Sequence, residues 1–102
     1  MKKWKVSAWE AIYNIPSVDD DVRVYYEHIF DDQESALKEL DKQKKELDHR
    51  FDTICKKYGV TDDWKNSEND YPNCQHKCAY TENRTTGEIS QIHIEVGMWN
   101  TH

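Results

Sequence analysis

The residue pattern predicts an α+β fold: a four-stranded antiparallel sheet in the order β-β-α-β-β, with one long helix packed across one face. Two observations carry this. Alternating apolar and polar residues flank the chain at both ends, and one stripe with spacings of 3 and 4 runs through its middle. A length of 102 residues fits one domain over 1–102.

The first strand is expected from Lys3 to about Tyr13. Trp4, Val6 and Ala8 fall on one face, with Lys3, Lys5, Ser7 and Trp9 on the other. Pro16 and the run Asp19-Asp20-Asp21 then demand a loop, since Pro lacks an amide donor and Asp disfavours a ladder. The second strand runs from Val22 to Phe30. Val22, Val24, Tyr26, His28 and Phe30 alternate with Arg23, Tyr25, Glu27 and Ile29. It should pair antiparallel with the first, because sequential strands usually neighbour each other.

Asp31 then reads as a helix cap, with Glu34 three residues on. The stripe Leu37, Leu40, Lys44, Leu47, Phe51, Ile54 and Tyr58 follows, and Gly59 supplies the C-terminal cap. A helix from Asp32 to Tyr58 measures about 40 Å, against about 26 Å for a strand of eight residues. It therefore looks longer than the sheet, with spare length for an overhang or a homodimer seam. Residues 59–73 read as an acidic connecting loop, with a helical turn at Thr61–Trp64. Cys74 to Trp99 reads as a hairpin closed by a three-residue turn, with Gly87 left-handed. That register sets Cys74 opposite Met98, His76 opposite Val96, Cys78 opposite Ile94 and Tyr80 opposite Ile92, all facing the core. The expected sheet core is Trp4, Val6, Val22, Val24, Tyr26, Phe30, Ile92, Ile94 and Val96. Leu37, Leu40, Leu47, Phe51 and Ile54 would cover it from the helix.

The composition narrows the function classes. Aromatic residues make up 12% of the chain, including 4 Trp and 6 Tyr, which argues against disorder. The net charge of −6 argues against direct nucleic-acid binding. No apolar run approaches the ~20 residues of a membrane helix. Met1 to Lys5 leads into no apolar stretch of a secretory signal, and three Cys are an odd number for a disulfide scaffold. A cytoplasmic setting is the expectation.

Cys74-Gln75-His76-Lys77-Cys78 is the most suggestive motif for chemistry. With Cys55 or His93 it offers a zinc-stabilised accessory domain as an alternative reading. Ligands at alternate strand positions stand about 6–7 Å apart, which suits one ion poorly, so core cysteines are expected and no metal or cofactor. His93 with Glu95 reads as an exposed polar pair, and Asp19-Asp20-Asp21 lacks the spacing of a calcium loop. No Ser-His-Asp set or paired carboxylates appear, and 3 Gly leave no phosphate-cradling loop. No enzymatic activity is expected.

The uncovered face of the sheet is the candidate site. Trp9, Tyr13, Tyr25 and Trp99 are expected on it as partner-binding residues, ringed by Glu10, Asp19, Asp20, Asp21, Glu27 and Glu95. The reading is a non-enzymatic protein-binding module, most simply a small acidic inhibitor that blocks a basic site on a nuclease or other nucleic-acid-handling enzyme. Its carboxylates would mimic nucleic-acid phosphates. In size and charge the chain is similar to small phage-encoded anti-defence inhibitors. A structural subunit self-associating through the long helix is a further alternative.

Overall fold

A computed structural model describes residues 2–101. The elements are β1 (Lys3–Tyr13), β2 (Asp21–Phe30), α1 (Gln33–Lys57), β3 (Lys65–Tyr71), β4 (Cys74–Glu82) and β5 (Ile89–Thr101). The fold is α+β with one helix on an antiparallel sheet, as expected, but the sheet has five strands, ordered β2-β1-β5-β4-β3.

The centre of the fold is the pairing of β1 with β5, in which Val6 lies opposite Met98, Ala8 opposite Val96 and Ile12 opposite Ile92. These side chains share one face and are buried. Ala36, Leu40, Gln43, Leu47, Phe51 and Ile54 of α1 cover them. The stripe thus sits slightly rotated from the expected one. Leu37 is exposed, and Gln43 is buried with its Nε2 donating to Glu39 Oε1 at 2.9 Å.

Both helix ends are capped by local chemistry. Asp32, rather than Asp31, is the N-cap, and its Oδ1 accepts from the Ser35 amide at 2.8 Å. At the other end the Gly59 amide donates to Lys56 O and the Val60 amide to Cys55 O. This is a Schellman arrangement, and Gly59 at φ +75 takes the left-handed position it needs. The helix is continuous over 25 residues. It does not outgrow the sheet, because β5 has 13 residues and spans about 43 Å.

Three further expectations change. Residues 59–73 are not only a loop, because they contain β3. Its seven residues are all exposed and mostly polar, so no apolar alternation marks them. Backbone pairing to β4 makes them a strand, and Lys44 fastens it from the helix: Nζ reaches Asp70 Oδ1 at 3.1 Å and Tyr71 O at 2.6 Å. A polar edge of this kind resists pairing with foreign strands.

The β4–β5 hairpin differs by one residue in register. Asn83 N donates to Glu88 O and Gly87 N to Asn83 O, so four residues, Arg84 to Gly87, form the turn. Cys74 then lies opposite Gly97, His76 opposite Glu95, Cys78 opposite His93 and Tyr80 opposite Gln91. A single-residue slip exchanges the two faces of a strand. Gln75, Lys77 and Ala79 therefore face the helix, while Cys74, His76 and Cys78 face away. Lys77 survives there by pairing with Asp48 and lying 5.9 Å from the Phe51 ring centroid.

Strand β2 carries a bulge. Ala8 pairs with Tyr26, but Trp9 pairs with Val24, which leaves Tyr25 as the extra residue. Tyr25 and Tyr26 both pack toward the helix side. Beyond the bulge the alternation is reset, and Val22 and Val24, expected in the core, are 59% and 53% exposed on the open face.

Leu47→Ala is expected to lower the unfolding free energy by about 2–5 kcal/mol, because Leu47 is fully enclosed between helix and sheet. Leu37→Ala should change it by only about 0.5 kcal/mol. Urea denaturation of both variants measures the contrast.

Candidate functional site

The register assigns the open face row by row. Val24, Trp9, Glu95, His76 and Asn69 form one cross-strand row, and Val22, Ala11, His93, Cys78 and Ser67 form the next. Tyr13, Gln91, Tyr80 and Lys65 lie beyond them toward the β1–β2 loop. Toward the opposite end, Ile29, Lys5 and Trp99 share a row.

A hydrogen-bonded histidine pair occupies the centre. His76 Nε2 stands 2.9 Å from His93 Nδ1, and His93 Nε2 stands 2.8 Å from Gln91 Oε1. The Gln91 oxygen can only accept, so a neutral His93 donates through Nε2 and accepts at Nδ1 from His76. The rings stack at 5.1 Å between centroids. Trp9 flanks His76 and Tyr13 flanks His93. Cys78 Sγ lies 3.7 Å from His93 Nε2. Burial, with a smaller repulsion from His76, holds the His93 imidazole below its ordinary pKa.

This cluster is a small packed island. Two nitrogens of the same imidazole cannot bind one ion, and Cys55 stands on α1 across the sheet. Among the described residues no three His, Cys, Asp or Glu side chains come together to hold a metal. Burial also pushes all three thiols up, Cys55 to about 11, which leaves little thiolate at neutral pH.

An apolar patch lies beside the island. Val22, Val24 and Ile29 from β2 are exposed, and so is Trp99 at 46%. Lys5 Nζ lies 5.8 Å from the Trp99 ring centroid and pairs with Glu27. Trp99 can lie flat because Gly97 is beneath it. A Cβ at Gly97 would stand 3.3 Å from Trp99 Cζ3, closer than ordinary contact.

Of the expected site, Trp9, Tyr13, Glu27, Glu95 and Trp99 share the open face, with Trp9 and Glu95 in one row and Tyr13 and Trp99 toward opposite ends. The structure separates the others. Tyr25 lies on the helix side because of the bulge, with the Arg50 guanidinium 3.6 Å from its ring centroid. Glu10 is also on the helix side and pairs with Arg23. Asp19 and Asp20 lie in the β1–β2 loop at one end of the sheet, where Asp20 Oδ1 accepts from the Asn14 amide at 2.8 Å, and Asp21 opens β2. The sequence reading placed His93 on the open face, as the register has it, but missed His76, Cys78, Val22 and Val24 there. Their only signal was parity, which the turn length and the bulge inverted.

No family model matches the chain, no curated protein is significantly similar to it, and no solved structure matches its fold. Among the described residues no helix is long and apolar enough to cross a membrane.

The lowered His93 pKa fixes the direction of a pH effect. In the unfolded chain the imidazole takes up its proton near pH 6.5, while the folded chain resists it. The contribution is complete above that pH and is lost as the pH falls from there toward the lowered value. The urea midpoint should thus drop more between pH about 7.5 and about 5.5 in the native chain than in His93→Gln. Parallel drops would show that His93 contributes nothing.

Proposed function

We infer that the chain is a non-enzymatic protein-binding module whose partner docks on the open face of the sheet. The observation that carries this reading is the patch of Val22, Val24, Ile29 and Trp99 beside half-buried Trp9. Single exposed apolar side chains are ordinary, but a grouped set with aromatic anchors is the composition of a binding hot spot. The Lys5–Glu27 ion pair lies among these side chains, Glu27 between Val24 and Ile29 and Lys5 between Ile29 and Trp99, and with Glu95 beside Trp9 it supplies the polar contacts that orient a partner.

The charge of −6 favours a partner with a basic site, such as a nuclease or another nucleic-acid enzyme. Asp19, Asp20 and Asp21 adjoin the patch at the end where β2 begins, and would approach such a site as phosphates do. The three free thiols, Cys78 buried and Cys55 and Cys74 partly so, favour a reducing setting such as the cytoplasm. Self-association through α1 gains little support. Leu37 is the one large apolar side chain that helix exposes.

Val24→Asp and Trp99→Ala test the site, since both side chains lie outside the core. The variants should keep the melting temperature and lower affinity for the partner captured from nuclease-treated host lysate by about tenfold or more. High salt should weaken the native complex further. Retention of one stoichiometric protein unchanged by either substitution would overturn the reading.

A further inference from the structure

The opposite side of the molecule holds a second feature that the protein-binding reading does not use. Between the C-terminal half of α1 and the edge strand β2 lies a cleft of about 360 Å³, bordered by Arg23, His49, Arg50, Lys57, Tyr58 and Glu10. This volume is at the lower end of small-molecule sites. The fixed charges that line it are three cations and one carboxylate, with Glu46 and Asp21 farther out, in a chain of net charge −6. The one carboxylate, Glu10, is already paired with Arg23.

Arg50 is the unusual member. Among the described residues it forms no ion pair. Its Nε is buried with no hydrogen-bond partner. Its guanidinium lies over the Tyr25 ring, and the Tyr25 hydroxyl is likewise buried and unpartnered. Buried polar atoms are normally hydrogen-bonded, so the Arg50 Nε–H lacks an acceptor within the chain. Burial pushes the Tyr25 hydroxyl up, against the pull of Arg50, so it stays a neutral donor at physiological pH.

We propose that this cleft is a binding site for the phosphate group of a small ligand, with Arg50 as its principal anchor. The planar guanidinium presents a fork of donors that suits phosphate oxygens. Arg23 from β2 and Lys57 from the last turn of α1 bring two more positive charges from different directions. A dianion is matched to this excess better than a single carboxylate. The helix end itself does not help, because its carbonyl dipole repels anions. Affinity therefore rests on the side chains. The cleft is across the sheet from the apolar patch, so the two sites are separately testable.

The test is an NMR titration of the full chain with inorganic phosphate, and separately with adenosine monophosphate. Sodium chloride holds the ionic strength constant. Saturable shifts are expected at the Arg50 side-chain Nε–H and at amides near Arg23 and His49–Tyr58, with the open face unmoved. Tighter binding of the nucleotide would mark a phosphate ester as the ligand class, and equal binding would mark free phosphate. Arg50→Gln should raise the dissociation constant at least about tenfold, and Arg50→Lys should recover only part of it, because the fork is lost. Lys57→Gln, an exposed change that cannot disturb the core, should weaken binding about threefold or more. No saturation, shifts reproduced by chloride alone, or unchanged binding in both Arg50→Gln and Lys57→Gln would overturn the proposal.

Discussion

A single helix can cover only one face of a sheet, and the rest of this molecule follows from that limit. Leu40, Leu47, Phe51 and Ile54 of α1 close over Val6, Ala8, Ile92, Ile94 and Val96, which leaves these side chains almost without solvent contact. The burial of this layer is the main source of stability, since apolar surface removed from water contributes about 25 cal/mol per Å². The other face has no second layer, so it is finished with its own side chains. Histidine, tyrosine, tryptophan and glutamine are suited to this, because each has an apolar body and a polar edge.

The His76–His93–Gln91 chain shows how that finish works. The two rings share a hydrogen bond of 2.9 Å, and His93 reaches the Gln91 oxygen at 2.8 Å. Such a network is favourable only when each member has its partner. Taking up a proton at His93 would leave both its nitrogens donating, and His76 would have to accept instead. Uncharged, the island is a firm platform from which Trp9 and Tyr13 are presented. Trp99 gains a comparable firmness from Gly97, whose missing side chain lets the indole lie against the sheet.

The bulge at Tyr25 shapes both faces at once. It turns Val22 and Val24 outward beside Trp9, which enlarges the apolar patch. It also places Tyr25 under Arg50, which forms the floor beside the cationic cleft. One inserted residue thus links the composition of the open face to the chemistry of the cleft. It also bends an edge strand rich in valine, tyrosine and isoleucine, a device that discourages pairing with another chain. At the other edge, β3 obtains the same protection from Lys65, Glu68 and Asp70.

The helix and the strands β1, β2, β4 and β5 were readable from periodicity, because burial of one face imposes spacings of 3 and 4 on a helix and 2 on a strand. The α+β class followed from their order, and Trp9, Tyr13, Glu27, Glu95 and Trp99 were readable as open-face residues because β1 and β5 keep their alternation and β2 keeps it from Tyr26 to Phe30. Parity elsewhere was not readable. A three-residue and a four-residue turn are both compatible with Asn83 to Glu88, yet they send His76 and Cys78 to opposite faces. The bulge does the same to Val22, Val24 and Tyr25, and it arises from the fit of β2 to β1. Strand β3 has no apolar pattern at all, since it is a strand only through its backbone pairing to β4 and the reach of Lys44. Periodicity records which residues avoid water along one element, whereas register, bulges and edge strands are settled by hydrogen bonds between elements that meet only in the folded chain.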